Sequence, residues 1–199
     1  METVINMLLP ILAMLISNKF VKMILNIITL GKYTVEIFDY KPSPHRPDDA
    51  LYVQHGKLNM DMFKNLPRGL TVFKINGKSF LLQGVRKFGY IDDPYKWTND
   101  SIKTMYFLTK ENGEACHVSA FSYDGELFVA IGSKNVHGLV RWNHFMEDLE
   151  NYTEMRYGFF KEMATSLFHI LTSGNVDALG FLNYLVEKWM YSSCRIMFN

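Results

Sequence analysis

The stretch Leu70-Thr-Val-Phe-Lys-Ile75, Asn76-Gly77, Lys78-Ser-Phe-Leu-Leu82 constrains the fold of this 199-residue chain most tightly. Asn-Gly supplies the two positive φ angles of a type I′ turn, and the flanking residues favour strand, so the segment predicts a β-hairpin. Tyr33, Val35 and Ile37 alternate with Thr34 and Glu36, the period of a half-buried strand. Further strands are predicted over Thr104–Thr109, Ala115–Phe121 and Glu126–Ile131, the last two joined at Asp124-Gly125. Lys41 to Ala50 holds Pro42, Pro44 and Pro47 and reads as an irregular loop, and Arg86 to Asp100 reads as a polar, aromatic-studded connection. From Asn143 the period changes. Phe145, Leu149, Tyr152, Met155, Phe159, Met163, Leu167 and Ile170 step by three or four, which predicts one apolar face on a long helix or on two helices in line. A second helix is expected over about Asp177 to Tyr191. Strands first and helices afterwards make the fold class α+β with a mostly antiparallel sheet.

The composition, 48% hydrophobic and 21% charged, excludes a disordered chain. With 21 Lys+Arg against 20 Asp+Glu, any polyanion must be held by a local cluster of cations rather than by a broad basic surface. Residues 1–30 form an apolar N-terminal segment in two runs, Val4 to Ile16 and Phe20 to Leu30. Neither approaches the ~20 apolar residues that span a bilayer, so no stable membrane span is expected and residues 4–30 are expected to pack as helix. Cys116 and Cys194 make neither a disulfide framework nor a metal spacing, which points to a reducing, cytoplasmic or nuclear setting. The histidines, His117 and His137 among them, show no metal-ligand spacing. P-loop, Gly-x-Gly-x-x-Gly and Gly-x-Ser-x-Gly signatures are absent.

Two Lys-x-Asn-Gly tetrads occur, Lys74-Ile-Asn-Gly77 and Lys110-Glu-Asn-Gly113. The first is the hairpin turn itself. The second lies between strand candidates and has companions in a fixed order. Pro67-Arg68-Gly69-Leu-Thr-Val-Phe73 and Gly84-Val-Arg-Lys-Phe-Gly-Tyr90 precede it, and Ile131-Gly-Ser-Lys-Asn-Val-His137 follows. In this order residues 33–171 resemble the covalent nucleotidyltransferases, and most nearly the adenylation domain of ligases related to phage RNA ligase 1.

The resemblance implies antiparallel sheets of the nucleotidyltransferase (ATP-grasp-like ligase) type with C-terminal helices, residues 31–199 forming a partial adenylation domain. It implies ATP with Mg2+ or Mn2+, a lysyl-AMP intermediate on Lys110, and transfer of AMP to 5′-phosphate RNA ends. Arg68, Lys87 and Lys134 would neutralise the phosphates, Phe88 or Tyr90 would stack on the base, and Asn112 and Gly113 would complete the tetrad; no protein metal ligand is assigned. A lysine amine attacks only when neutral, and its free pKa is ~10.4, so burial and neighbouring cations must lower it. Asn112 stands where most relatives have Asp, and Lys87-Phe88-Gly89-Tyr90 lacks the second phenylalanine and the asparagine of the family box. No Lys-x-Lys follows Lys110, and the carboxylate strands that relatives place after the helices are missing. The expectation is therefore weak sealing by a truncated or divergent relative. The alternatives are an inactive nucleotide- or RNA-binding module and a membrane-tethered structural protein.

Overall fold

The computed structural model describes residues 21–42, 53–54, 57–58, 69–83, 116–133, 136–191 and 196–198. Ten strands appear among them in chain order: β1 (Val21–Leu30), β2 (Tyr33–Pro42), β3 (Val53–Gln54), β4 (Lys57–Leu58), β5 (Leu70–Ile75), β6 (Lys78–Gln83), β7 (Cys116–Tyr123), β8 (Glu126–Gly132), β9 (His137–Arg141) and β10 (Ile196–Phe198). Three helices follow or interrupt the last of these: α1 (Phe145–Leu149), α2 (Gly158–Thr172) and α3 (Ala178–Tyr191). The class is α+β, as expected. The strands make two four-stranded antiparallel sheets, β1-β2-β5-β6 and β10-β7-β8-β9, with β3 and β4 as a separate short pair.

The hairpins form where turn chemistry demanded them. Asn76 and Gly77 take φ of 45° and 87°, and Asp124 and Gly125 take 53° and 77°. Pairing Phe73↔Phe80 and Phe121↔Phe128 then puts an apolar stripe on one face of each sheet. The stripes meet. Tyr33 of β2 lies edge-on to Phe128 of β8 at 5.2 Å, and Phe80 of β6 stacks on Phe121 of β7 at 4.2 Å. The core between the sheets includes Val35, Ile37, Phe73, Ile75 and Leu139, all fully buried. The opposite face of the second sheet takes the helices, and Gly138 is the close approach: a Cβ there would stand 2.3 Å from the Phe160 ring of α2.

Strand β9 is the outer strand of its sheet, and its outward backbone groups are met by side chains. The Leu139 N–H donates to Tyr152 Oη at 2.6 Å, and that hydroxyl donates back to the Leu139 carbonyl at 2.7 Å. The Arg141 N–H donates to Asp148 Oδ2 at 2.8 Å. A buried hydroxyl that closes two backbone groups leaves none of the three unsatisfied.

Two expectations need correction. Residues 21–30 are not helix but strand β1, turning at Gly31 (φ 57°) into β2. The run is apolar on both faces, so helix and strand patterns compete, and its β-branched residues (Val21, Ile24, Ile27, Ile28, Thr29) decide for strand. Residues 1–20 lie outside the described residues, as does the strand expected at Thr104–Thr109. The helical face from Asn143 onward also shifts. The chain leaves α1 at Leu149 and re-enters through a 3-10 turn at Met155–Tyr157. This resets the phase: Tyr157, Phe160, Ala164, Leu167 and Leu171 are buried, while Met155, Phe159 and Ile170 face solvent. No helix among the described residues is long and apolar enough to cross a membrane.

Candidate functional site

The two sheets have unlike ends. At one end sit the tight turns: Gly31-Lys32, Asn76-Gly77 and Asp124-Gly125, drawn together by Asn76, whose side-chain oxygen accepts from the Thr34 N–H at 3.1 Å and whose backbone N–H donates to the Thr34 carbonyl at 3.1 Å, and by the Lys32–Asp124 ion pair at 2.7 Å. At the other end the chain enters β5 at Leu70, leaves β6 at Gln83, enters β7 at Cys116, leaves β8 at Gly132 and enters β9 at His137. Leu70 pairs with Gln83, and Gly132 pairs with both His117 and His137, so each sheet gathers its own set. Thr71 Oγ1 lies 2.8 Å from His137 Nδ1, which joins the two sets across the sheet–sheet interface.

These strand ends border every segment singled out in the sequence. Arg68, Lys87, Phe88, Lys110, Asn112, Gly113 and Lys134 themselves lie outside the described residues. Their described neighbours show the local reasons for the motif. Gly69, next to Arg68, is buried with φ of 68°, a conformation that costs a side-chain-bearing residue about 1–2 kcal/mol. On either side of Lys134 and Asn135, the Ser133 N–H donates to the Val136 carbonyl at 2.9 Å, and a Cβ on Gly132 would stand 2.3 Å from that same oxygen. The glycine is required by close backbone approach.

Lys74 is different. It sits inside β5, pairs with Glu36 at 3.0 Å and precedes the Asn76-Gly77 turn, so the first tetrad is a hairpin, as expected. Cys116 is also poor chemistry: burial, offset in part by a backbone hydrogen bond involving Gly132, pushes its thiol up to about 11.

At the open end lies a buried polar line that sequence reasoning passed over. Thr71 of β5 donates to Asp39 Oδ1 of β2 at 2.7 Å. His137 of β9 meets Thr71 through Nδ1 at 2.8 Å and His117 Nδ1 of β7 through Nε2 at 3.0 Å. All four are buried. Behind Asp39 stands Arg156, whose Nη1 is 3.4 Å from Asp39 Oδ2 and whose Nε is 3.2 Å from Glu154. Arg156 also donates to Tyr157 Oη, which accepts a further bond from Asn26 of β1 at 3.1 Å. The line ties four strands of both sheets together where the candidate segments begin and end.

Burial, with His117 beside it, holds the His137 imidazole well below the usual histidine range. Such a group binds its proton less readily folded than unfolded. Its contribution to stability is therefore complete above the unfolded value of about 6.5 and is lost as pH falls below it, by up to about 1.4 kcal/mol per pH unit, until the folded state is protonated too. Urea unfolding midpoints should fall between pH 6.5 and 5 in the parent chain and fall less steeply in His137→Asn. Equal slopes in the two proteins would show that His137 is not the group responsible.

Among the described residues, no cluster of histidine, cysteine, aspartate or glutamate could hold a metal ion. Residues 47–166 match the family described as DUF7920, a domain of unknown function. No curated protein and no solved structure matches the chain.

Proposed function

The chain belongs to the DUF7920 family, and within it we propose a nucleotidyltransferase of the RNA-ligase type, with Lys110 as the nucleophile. The observation that supports this reading is the gathering of described strand ends. The ends bordering Arg68, Lys87, the Lys110–Gly113 tetrad and Lys134 lie at one end of two packed sheets, where a triphosphate needs several cations at once. Functional side chains on connections that leave a rigid scaffold from one end can converge on one ligand; cations on connections leaving opposite ends could not.

In this reading the neutral Lys110 amine attacks the α-phosphorus of ATP. An N–P bond forms, the nitrogen gives up one proton to solvent to leave the phosphoramidate, the P–O bond to the β-phosphate breaks, and pyrophosphate leaves with the electron pair. Arg68, Lys87 and Lys134 neutralise the charge on the phosphate oxygens, an electrostatic contribution that phosphoryl transfer depends on. The AMP is then passed to a 5′-phosphorylated RNA end. The divalent ion that the resemblance implies has no ligand cluster among the described residues, and no step is routed through it.

The test is incubation with α-labelled ATP and Mg2+ or Mn2+, followed by a denaturing gel. Covalent label is expected, lost on acid treatment as a phosphoramidate is. Lys110→Ala should reduce it by roughly 10³-fold or more, as removal of a nucleophile does. Lys74→Ala, which removes only a partly exposed pair with Glu36, should leave it unchanged. ATP binding without label in the parent chain would replace the enzyme by a nucleotide-binding module, and label that persists in Lys110→Ala would reject this nucleophile.

A further inference from the structure

We propose that the contact between His117 of β7 and His137 of β9 is a one-proton latch: closed, the pair accepts one proton, and a second opens this end of the two sheets while the turn end stays shut. Gly132 of β8 pairs with both residues, and its missing side chain lets the two imidazoles meet over it. A Cβ on Gly132 would stand 2.5 Å from His137 Cδ2. The ring planes lie 19° apart with centroids separated by 5.3 Å, and His117 Nδ1 is 3.0 Å from His137 Nε2. The rings are therefore joined edge to edge through one pair of nitrogens.

Such a contact has room for a single hydrogen. Uncharged, one ring donates and the other accepts; with one charge on the pair, the imidazolium donates to its neutral neighbour. With both rings charged, two N–H groups point at each other across 3.0 Å and neither finds an acceptor there. This count concerns the shared nitrogens alone and holds whatever else either ring touches. Both rings are buried, so two like charges also lack the water that would screen them. Two sites coupled in this way take up protons as a pair.

Among the described residues, few groups face the pair. From the other sheet Thr71 Oγ1 meets His137 Nδ1 at 2.8 Å, and behind Thr71 stand Asp39 and Arg156, the latter also paired with Glu154. Beside His117 on β7 is Cys116, its thiol pushed up to about 11 by burial. On the remaining sides, β10 sets Met197 opposite His117, and α2 brings the Phe160 ring against Gly138. The depressed proton affinity of His137, due first to burial and then to His117, has the sign that a closed latch requires.

Exposed to water, both rings take their protons below about pH 6.5. The open form then holds at least one proton more than the closed form, so the opening constant rises about tenfold for each pH unit of acidification. Opening carries His137 off Thr71 and frees the start of β9. Ser133 and Val136, which flank Lys134 and Asn135, leave from this point, so acid loosens the connection that bears Lys134, with or without nucleotidyl transfer. The turn end is held by Tyr33 on Phe128, by Phe80 on Phe121, and by the Lys32 ammonium, which keeps the Asp124 carboxyl below its ordinary value. None of these contacts gains or loses a proton between pH 8 and 5.

The experiment is hydrogen exchange of the full chain from pH 8 to 5, corrected for the intrinsic pH dependence of amide exchange and read by mass spectrometry. Residues 116–119 and His137–Arg141 report the latch end, and residues 121–128 report the turn end. From pH 6.5 to 5 the latch end should lose protection about 10–30-fold, with about twofold change or less at the turn end. His117→Gln and His137→Gln each replace one ring by an amide whose oxygen accepts from the remaining imidazolium. The closed form then keeps its proton, and the loss should shrink to about threefold or less in each variant. Equal loss at both ends of the parent chain, or none at either, overturns the latch. A loss of parent size in either variant overturns the histidine pair as its cause. If a variant does not fold, the comparison of the two ends in the parent chain still decides.

Discussion

Asp148→Ala is expected to destabilise the fold by about 3–5 kcal/mol, the cost of removing one partner of a buried ion pair. Asp148 is fully buried, and Arg141 is 6% exposed. The carboxylate accepts from Arg141 Nε at 2.9 Å, from Nη2 at 2.6 Å and from the Arg141 backbone N–H at 2.8 Å. Those bonds raise the guanidinium above its ordinary value, and deletion of the carboxylate leaves a cation and a backbone donor without their acceptor. Gly31 gives the guanidinium little room to move, since a Cβ there would stand 2.3 Å from Nη1. For a chain of this length the thermal midpoint should fall by roughly 6–20 °C. The double variant Arg141→Met with Asp148→Leu should be much closer to the parent, because no uncompensated charge remains. Equal losses in the single and double variants would mean that packing, not charge pairing, sets the effect.

Phe128→Ala carries the second large effect, about 3–5 kcal/mol by loss of transfer energy and creation of a cavity. Its ring has no solvent exposure and contacts Tyr33 across the interface at 5.2 Å, with Phe121 at 5.6 Å and Tyr123 at 6.4 Å. The substitution removes one of the aromatic contacts that hold the turn end of one sheet on the other, beside the Phe80–Phe121 stack. Urea unfolding is the measurement, with Phe159→Ala on the exposed side of α2 as the comparison; that residue is 42% exposed and should cost far less. Similar midpoints for the two variants would contradict the inter-sheet core.

Local chemistry made the hairpins legible. Asn76-Gly77 and Asp124-Gly125 state their φ angles in their own residue types, and nothing distant overrides them. Strand β1 was illegible for the opposite reason. Leu25 and Ile27 are apolar yet solvent-facing, so the alternation that marks a half-buried strand is erased by its outer face. In the helical region the periodic pattern was real but ran through a break. A residue step of three or four cannot report that residues 150–154 leave the helix and restart it in another phase.

The candidate site divides along the same boundary. The cationic segments were singled out from an order of short motifs that resembles a known family's, and that order is legible in the sequence alone. The line Asp39–Thr71–His137–His117 could not, because its members come from four strands and each is an ordinary residue in its own segment. Thr71 and His137 are 66 positions apart, and only the stacking of two sheets brings them to 2.8 Å. One local signal did exist: in β7 and β9, His117 and His137 fall on the inward phase with Phe121 and Leu139, where an apolar residue would be the default.

Strand β9 finishes its sheet with two side chains, Tyr152 and Asp148, in place of a further strand. The consequence is a border that resists extension. A peptide or a second molecule that sought to pair with β9 by backbone hydrogen bonds would find the groups at Leu139 and Arg141 already taken. Asp148 of α1 and Tyr152 three residues beyond its end thereby guard this border against strand addition.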